Sequence, residues 1–195
     1  MIFKKLIFLI FIVSALAFTT RDSISKNTSV FINSDSYLYV KGTTNISNFS
    51  CDFNILKLEN RIPVSFITNA GEMIFDNTVL VLETSCFDCG GKGINNDFKK
   101  ILKSDKYPQI FLNLEKISRL NNSKSVEAKI AIEIAGFKKT HEIPVKIKKE
   151  HGLLVSGNLE LSLNEYNLEA PKKLFGLISI NDTIEIDFKL RVQEY

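Results

Sequence analysis

The sequence contains no tryptophan, only two histidines and only three cysteines among its 195 residues. A zinc site takes most of its ligands from Cys and His, and this set does not readily provide them. The chain also lacks a Gly-x-Ser-x-Gly turn and a phosphate-binding glycine loop, which disfavours hydrolase and nucleotide-binding functions. We therefore predict no catalytic residues, no metal ligands and no cofactor.

The chain lacks an excess of charge of either sign. Its 25 Lys and Arg stand against 22 Asp and Glu, a formal net charge of +3. Removal of residues 1–17 would lower this charge by two, because Lys4 and Lys5 would be lost without any acid. Nucleic-acid binding depends on neutralising many phosphates, so no nucleic-acid partner is predicted.

Long apolar runs are missing except near the start of the sequence. Lys4 and Lys5 precede an apolar run over residues 6–13, and small residues follow up to Ala17. This order is typical of a cleaved signal peptide, so we predict a signal over residues 1–17 and a periplasmic or secreted protein. An uncleaved membrane anchor is the alternative, but the run is shorter than the ~20 residues of a spanning helix.

The remainder of the sequence indicates one domain. Residues 18–34 are rich in Ser, Thr and Asn and are predicted to be a flexible lead-in. Residues 35–195 show no internal repeat and no composition shift, so they are predicted to form a single domain.

Strand-like alternation dominates the second half of the domain. Apolar residues recur at every second position over residues 126–134, 153–163 and 184–190, with polar residues between them. Ala135-Gly136 predicts a hairpin turn into a strand over residues 137–147, in which Pro144 favours a sheet edge or a bulge. Less regular strands are predicted over residues 37–42, 50–58, 63–68, 73–75, 78–84 and 109–117.

One amphipathic helix is predicted over residues 95–103. Asn95 or Asn96 is the expected N-cap, and Pro108 prevents the helix from continuing. Phe98, Ile101 and Leu102 share one face, so the helix is expected to lie across the sheet.

About eight to ten antiparallel strands with few helices favour a sandwich or a closed barrel. A barrel of eight strands has an interior that side chains just fill or that holds one small ligand. Fifteen phenylalanines and no tryptophan would make that interior apolar. The candidate ligand-binding residues are the inward-facing ones, and the alternative is that they form a packed core: Val40, Phe53, Ile130, Ile132, Val145, Leu161, Ile186 and Phe188.

A series of short motifs spans most of residues 36–190. The motifs are Gly42-Thr43-Thr44-Asn45-Ile46, Phe49, Cys51, Phe87-Asp88-Cys89-Gly90, Ile94-Asn95, Asp97-Phe98, Leu102-Lys103-Ser104, Tyr107-Pro108-Gln109-Ile110, the hairpin from Ile134 to Val145, and the closing segments 171–180 and 182–188. Taken together, their order and spacing resemble the YceI-like family of secreted proteins. Ile94 and Cys86 depart from the family pattern.

The resemblance implies an all-β fold, a lipocalin-like antiparallel barrel of about eight strands with one or two short helices. It implies an exported, non-catalytic protein that binds a long-chain isoprenoid or other amphiphilic lipid inside the barrel, with transient contact with a membrane. The alternative is an envelope scaffold or interaction protein whose barrel is packed and holds no ligand. The oligomeric state stays open.

Three cysteines in an exported protein predict one disulfide and one free thiol. The resemblance implies that Cys51 pairs with Cys89, and a Cys51–Cys86 pair is the competing arrangement. Cys86 and Cys89 also have the spacing of a redox pair, but the first cysteine of such a pair begins a helix, and here two glycines intervene. His141 falls on the predicted apolar face, where a hydrogen-bonded core or rim histidine is the favoured interpretation.

Overall fold

The computed structural model describes residues 24–119, 125–169 and 179–195. The predicted signal peptide and most of the segment 171–180 lie outside these residues. The described strands are β1 (Ile24–Ile32), β2 (Tyr37–Thr44), β3 (Asn48–Phe53), β4 (Ile62–Asn69), β5 (Glu72–Glu83), β6 (Phe87–Asp88), β7 (Gln109–Arg119), β8 (Ser125–Ile134), β9 (Phe137–Lys149), β10 (Leu153–Ser162) and β11 (Ile180–Glu194). The helices are α1 (Lys92–Ile101) and three short 3₁₀ helices, Ile55–Lys57, Thr84–Cys86 and Leu163–Tyr166.

Eight of these strands close into an antiparallel ring. The order is β1, β4, β5, β7, β8, β9, β10 and β11, and β11 pairs back onto β1. Closure satisfies backbone groups that an open sheet would leave at its edges. The predicted antiparallel barrel of about eight strands is therefore confirmed.

The other three strands extend the sheet from β11. Strand β2 pairs with β11 from Ile180 to Lys189, while β1 pairs with it only from Val192 to Glu194. Strands β3 and β6 follow β2 in order. One end of the barrel is thus lined by β2, β3 and β6 in place of β1 and β4.

The β8–β9 hairpin follows the sequence pattern closely. Ile134 pairs with Phe137, and both turn residues between them have positive φ, 51° at Ala135 and 81° at Gly136. Such turns match the twist of the flanking strands. The Tyr107 ring lies so close to Gly136 that an added Cβ would be 2.9 Å from it, so glycine is needed there for space as well.

The predicted lead-in over residues 18–34 is wrong where the structure describes it. Residues 24–32 form β1, which pairs with seven residues of β4 and closes the ring against β11. The strand could not be recognised from its polar sequence, because it lacks apolar alternation. It is held by its backbone ladder and by the bonds of Lys26 and Thr28 to Glu194, each 2.7 Å long. The barrel therefore begins before residue 35.

Helix α1 begins earlier than predicted, at Lys92 with Gly91 as the N-cap. Asn95 is inside the helix, and its side chain bonds the preceding loop instead of capping the helix. The two strands predicted over residues 73–75 and 78–84 are one strand, β5, with a register shift between Ile74 and Thr78.

Pro144 stands opposite Glu127 of β8 without a bulge, and it lies at a local edge on the other side of β9, as one of the two predicted alternatives requires. It marks a limit there, because pairing with β10 runs from Lys149 only as far as Val145. Proline has no N–H to donate to a ladder. Beyond this point β9 and β10 are no longer hydrogen-bonded to each other.

The interior has two hydrophobic clusters at different heights. The larger cluster gathers residues from β2, β3, β6, α1 and the 3₁₀ helix at 163–166. The smaller one is centred on Ala128, Ile143 and Val145. Ile130 and Phe188 contact both clusters and join them.

A pair of glycine substitutions tests this packing. Gly42→Ala should lower the free energy of unfolding by about 1–3 kcal/mol, because its Cβ would overlap the Phe49 ring that covers Gly42 from the neighbouring strand. Gly93→Ala is the matched control: no atom lies within 4 Å of its added Cβ, and in helix α1 it should raise stability by about 0.5–1 kcal/mol. Urea denaturation of both variants measures the two effects; equal shifts would contradict the packing.

Candidate functional site: an apolar cavity beneath the helix

The larger cluster surrounds an apolar cavity of about 70 Å³. Eighteen of the twenty described residues that line it are Leu, Ile, Val or Phe, and the other two are Ser162 and Tyr166. Most lining residues come from β2, β3 and β6 of the sheet extension, from β5, β7, β8, β10 and β11 of the ring, and from α1. They are Leu38, Val40, Phe49, Leu82, Phe87, Phe98, Ile101, Leu102, Ile110, Leu112, Ile132, Ile134, Leu161, Ser162, Leu163, Tyr166, Leu168, Ile180, Ile184 and Ile186.

Helix α1 covers the cavity with the face that the sequence predicted. Phe98, Ile101 and Leu102 line the cavity, while Lys99 and Lys100 are exposed. The Phe98 ring lies 5.2 Å from that of Phe87 on β6. Aromatic contacts of this kind anchor the helix to the sheet extension, since paired rings add to the energy of burial.

The structure brings together four of the eight predicted ligand-binding residues. Val40, Ile132, Leu161 and Ile186 line the cavity.

The other four predicted residues do not line this cavity. Phe53 packs on Phe87, with ring centroids 4.9 Å apart, and Val145 lies in the smaller cluster. Ile130 and Phe188 lie between the clusters, where the Phe188 ring covers Gly157. Alternation along a strand determines the face on which a residue lies but not its height along the barrel axis. Val145 therefore points inward but lies in the smaller cluster.

The sequence did not identify residues 163–168 as part of the site. Leu163, Tyr166 and Leu168 are almost fully buried and line the cavity. Leu163 ends the alternating series over residues 153–163, whereas Tyr166 and Leu168 follow in a segment without strand periodicity, so no pattern indicated the position of these two. The Tyr166 hydroxyl lies 2.7 Å from Nε2 of His141 on β9, which confirms that this partly buried histidine is hydrogen-bonded.

The disulfide joins Cys51 to Cys89, as the family resemblance implies, and leaves Cys86 as a free, partly buried thiol. It connects β3 to the loop that leads into α1. The Asn95 side chain supports the same loop, since its Oδ1 accepts from Cys89 N at 2.6 Å and its Nδ2 donates to Asp88 at 2.9 Å.

Two carboxylates face each other beside this disulfide. Asp52 and Asp88 are register partners across β3 and β6. Burial raises the pKa of Asp52, and the negative charge of Asp88 raises it further. The pKa of Asp88 is lowered by the hydrogen bonds that its carboxylate accepts from Asn95 and from the Gly90 N–H. Asp88 therefore carries its charge as part of the loop structure.

Within residues 24–119, 125–169 and 179–195, no group of three or more His, Cys, Asp or Glu is placed to hold a metal ion. The described helix α1 has ten residues, and no helix in these ranges has the length and hydropathy for crossing a bilayer.

These features define a class: an eight-stranded antiparallel barrel with a sheet extension and one helix over an apolar cavity. Solved structures share this fold. The crystal structure of BcnA from Burkholderia cenocepacia superposes with a TM-score of 0.62 at 16% identity and covers 81% of this chain and 96% of that one. No protein-family model matches the sequence, and no curated protein matches it.

The chain has the fold of the YceI proteins, as the sequence resemblance implies. A polyisoprenoid binding domain from Saccharophagus degradans gives a TM-score of 0.61 at 15% identity, covering 87% of this chain and 100% of that one. The YceI protein of Campylobacter jejuni gives 0.51 at 15% identity, covering 62% and 73%.

The first prediction from this site concerns the disulfide. Replacing Cys51 and Cys89 together by alanine should lower the free energy of unfolding by about 4 kcal/mol, because the bond closes a loop with a sequence separation of 38. Cys86→Ser should change the free energy of unfolding by less than about 1 kcal/mol, since Cys86 is partly exposed and forms no disulfide. Thiol titration of the unfolded, unreduced protein should count one thiol; a count of three would contradict the pairing.

The second prediction concerns pH. Burial lowers the pKa of His141, against the opposing effect of the nearby Glu165 charge. Because the unfolded chain then binds a proton more readily than the folded one, stability should fall as pH drops from about 6.5 through the lowered pKa of the folded state. Urea denaturation between pH 8 and 5 measures this loss, which His141→Gln should reduce. An identical pH profile for the variant would refute it.

Proposed function

We propose that the protein is an exported, non-catalytic lipid-binding protein that holds the tail of an isoprenoid or similar amphiphile in the cavity beneath α1. The observation that carries this proposal is the composition of the cavity wall. Eighteen apolar side chains converge on a space that they do not fill. Burial of hydrocarbon contributes roughly 25 cal/mol per Å² of apolar surface, so such a wall favours a tail without any covalent step.

The polar elements of the wall lie together at one place. Ser162 and Tyr166 are four residues apart, and both belong to the stretch where β10 leaves the sheet. Both hydroxyls are already engaged, Ser162 with Asp182 and Tyr166 with His141, so an amphiphile would place its tail in the cavity and keep its polar group at the mouth. The S. degradans protein is a polyisoprenoid binding domain, and a polyisoprenoid is a ligand of the same chemical class.

The volume of the cavity limits what it can hold. Engineered apolar cavities of roughly 150 Å³ bind benzene, and this cavity has about half that volume. None of the buried members of the smaller cluster lines it, so it ends within the barrel. A long tail therefore requires the residues that enclose the cavity to move outward.

Export is part of the proposal. A disulfide persists in an oxidising compartment, and the sequence predicts a signal peptide over residues 1–17. A tail that passes between the cavity and a membrane also requires transient contact with a membrane surface.

The second candidate function is an envelope scaffold or interaction protein. The observation that favours it is the packed smaller cluster together with the small volume of the cavity. Under this alternative the barrel holds no ligand, and partners bind its outer surface.

Lipid extraction separates the two candidates. Protein purified without detergent from an oxidising compartment, extracted with organic solvent and analysed by mass spectrometry, should yield a reproducible isoprenoid or other long-chain amphiphile. Leu112→Trp should abolish this yield, because the larger ring would fill the cavity from the wall strand β7.

Phe111→Trp is the matched control. It makes an aromatic ring larger at the neighbouring position, on the opposite face of the same strand, and should leave the lipid yield unchanged. If folded wild-type protein carries no lipid, or if the Leu112 variant carries as much as the wild type, the scaffold function is favoured.

A further inference from the structure

The cavity wall is interrupted at one strand of the ring. Strand β8 contributes Ile132 and Ile134, and β10 contributes Leu161, but no residue of β9, which lies between them in the ring, lines the cavity. The wall between β8 and β10 is supplied instead by Leu163, Tyr166 and Leu168. We call residues 163–168 the seam segment.

The interruption has a cause in the strand pairing. Pairing between β9 and β10 ends at Val145 and Gly157, while β9 continues to pair with β8 as far as Phe137. On the other side, β10 continues along β11 to Ser162. Among the described residues no backbone ladder closes the barrel between the two diverging strands, and the seam segment contacts both of them.

Hydrogen bonds to side chains of the neighbouring strands hold the seam segment in place. The Tyr166 hydroxyl contacts His141 Nε2 at 2.7 Å, and the two rings are stacked. Asp182 of β11 accepts from the Asn164 N–H at 2.9 Å and from the Ser162 hydroxyl.

A further tie comes from the end of helix α1. Lys103 Nζ donates to the Asn167 carbonyl oxygen at 2.9 Å, and Asn167 itself has a left-handed backbone with φ of 50°. Releasing the seam segment would break these local hydrogen bonds and expose the buried side chains of Leu163, Tyr166 and Leu168, but it would leave the ring of strands intact.

We propose that the seam between β9 and β10 is the entrance to the cavity, that the seam segment is its gate, and that the His141–Tyr166 hydrogen bond is the latch. This inference rests on the proposed function, since a gate has meaning only for a cavity that takes up a ligand. The ligand class is an apolar or amphiphilic molecule that enters sideways between the strands, tail first, past Tyr166. The latch sets how fast the molecule enters and leaves.

The first test needs no ligand. Hydrogen exchange followed by NMR should show the amides of Asn164, Asn167 and Leu168 opening more often than the β10–β11 ladder amides. Tyr166→Phe removes only the hydroxyl and should speed exchange of these three amides roughly five-fold, the equivalent of one ordinary hydrogen bond. Tyr107→Phe makes the same chemical change outside the seam and should leave their exchange unchanged.

The second test measures ligand uptake. The uncharged fluorophore N-phenyl-1-naphthylamine, mixed with the protein in a stopped-flow instrument, should bind and leave roughly five-fold faster in Tyr166→Phe. Lys103→Met removes the tie to α1 by a different route and should act in the same direction. Tyr107→Phe should match the wild type.

The results separate the gate from the function it serves. If the three amides exchange only at the rate of the β10–β11 ladder in every variant, the seam does not open and the proposal of a gate is wrong. If Leu102→Ala speeds uptake of the fluorophore while Tyr166→Phe does not, the entrance lies under the helix and the gate is again overturned. If the amides respond as expected but wild-type protein takes up neither the fluorophore nor lipid, the proposed function fails.

Discussion

The pairing of β11 is the constraint on which the rest of the structure depends. This strand of fifteen residues pairs with β10 on one side and with two different strands on the other. Near its end β11 meets β1 and closes the ring, and along most of its length it meets β2. Along the part of β11 that pairs with β2, the strands β2, β3 and β6 take the place of β1 and β4. The interior of this part of the barrel is covered by α1 and the seam segment.

The sequence predicted which face of a strand is buried, because a period of two follows directly from strand geometry. Ile132, Ile134, Ile143 and Val145 are all inside, as their alternation indicates. The same pattern carries no information on height along the barrel axis. Ile132 therefore lines the cavity while Val145 packs in the smaller cluster, although both residues follow the same alternation of buried and exposed positions.

Elements that depend on partners far away in sequence could not be predicted from local pattern. Strand β1 forms from a polar sequence because β4 and β11 supply its backbone bonds. The seam segment is ordered by His141, Asp182 and Lys103, which come from three other parts of the fold. The side of α1 that faces the cavity could be predicted, since it follows from spacing within the helix, but the helix start could not, because Asn95 bonds the loop before it.

The position of the Cys51–Cys89 bond has a consequence for how the molecule matures. Strand β6 has only two residues, so its own ladder holds it weakly, yet it carries Phe87 and leads directly into the cover helix. The eight-stranded ring contains neither cysteine and needs no crosslink to close. In a newly made, still reduced chain the ring therefore keeps its full backbone ladder, whereas β6 and α1 lack their covalent attachment to β3.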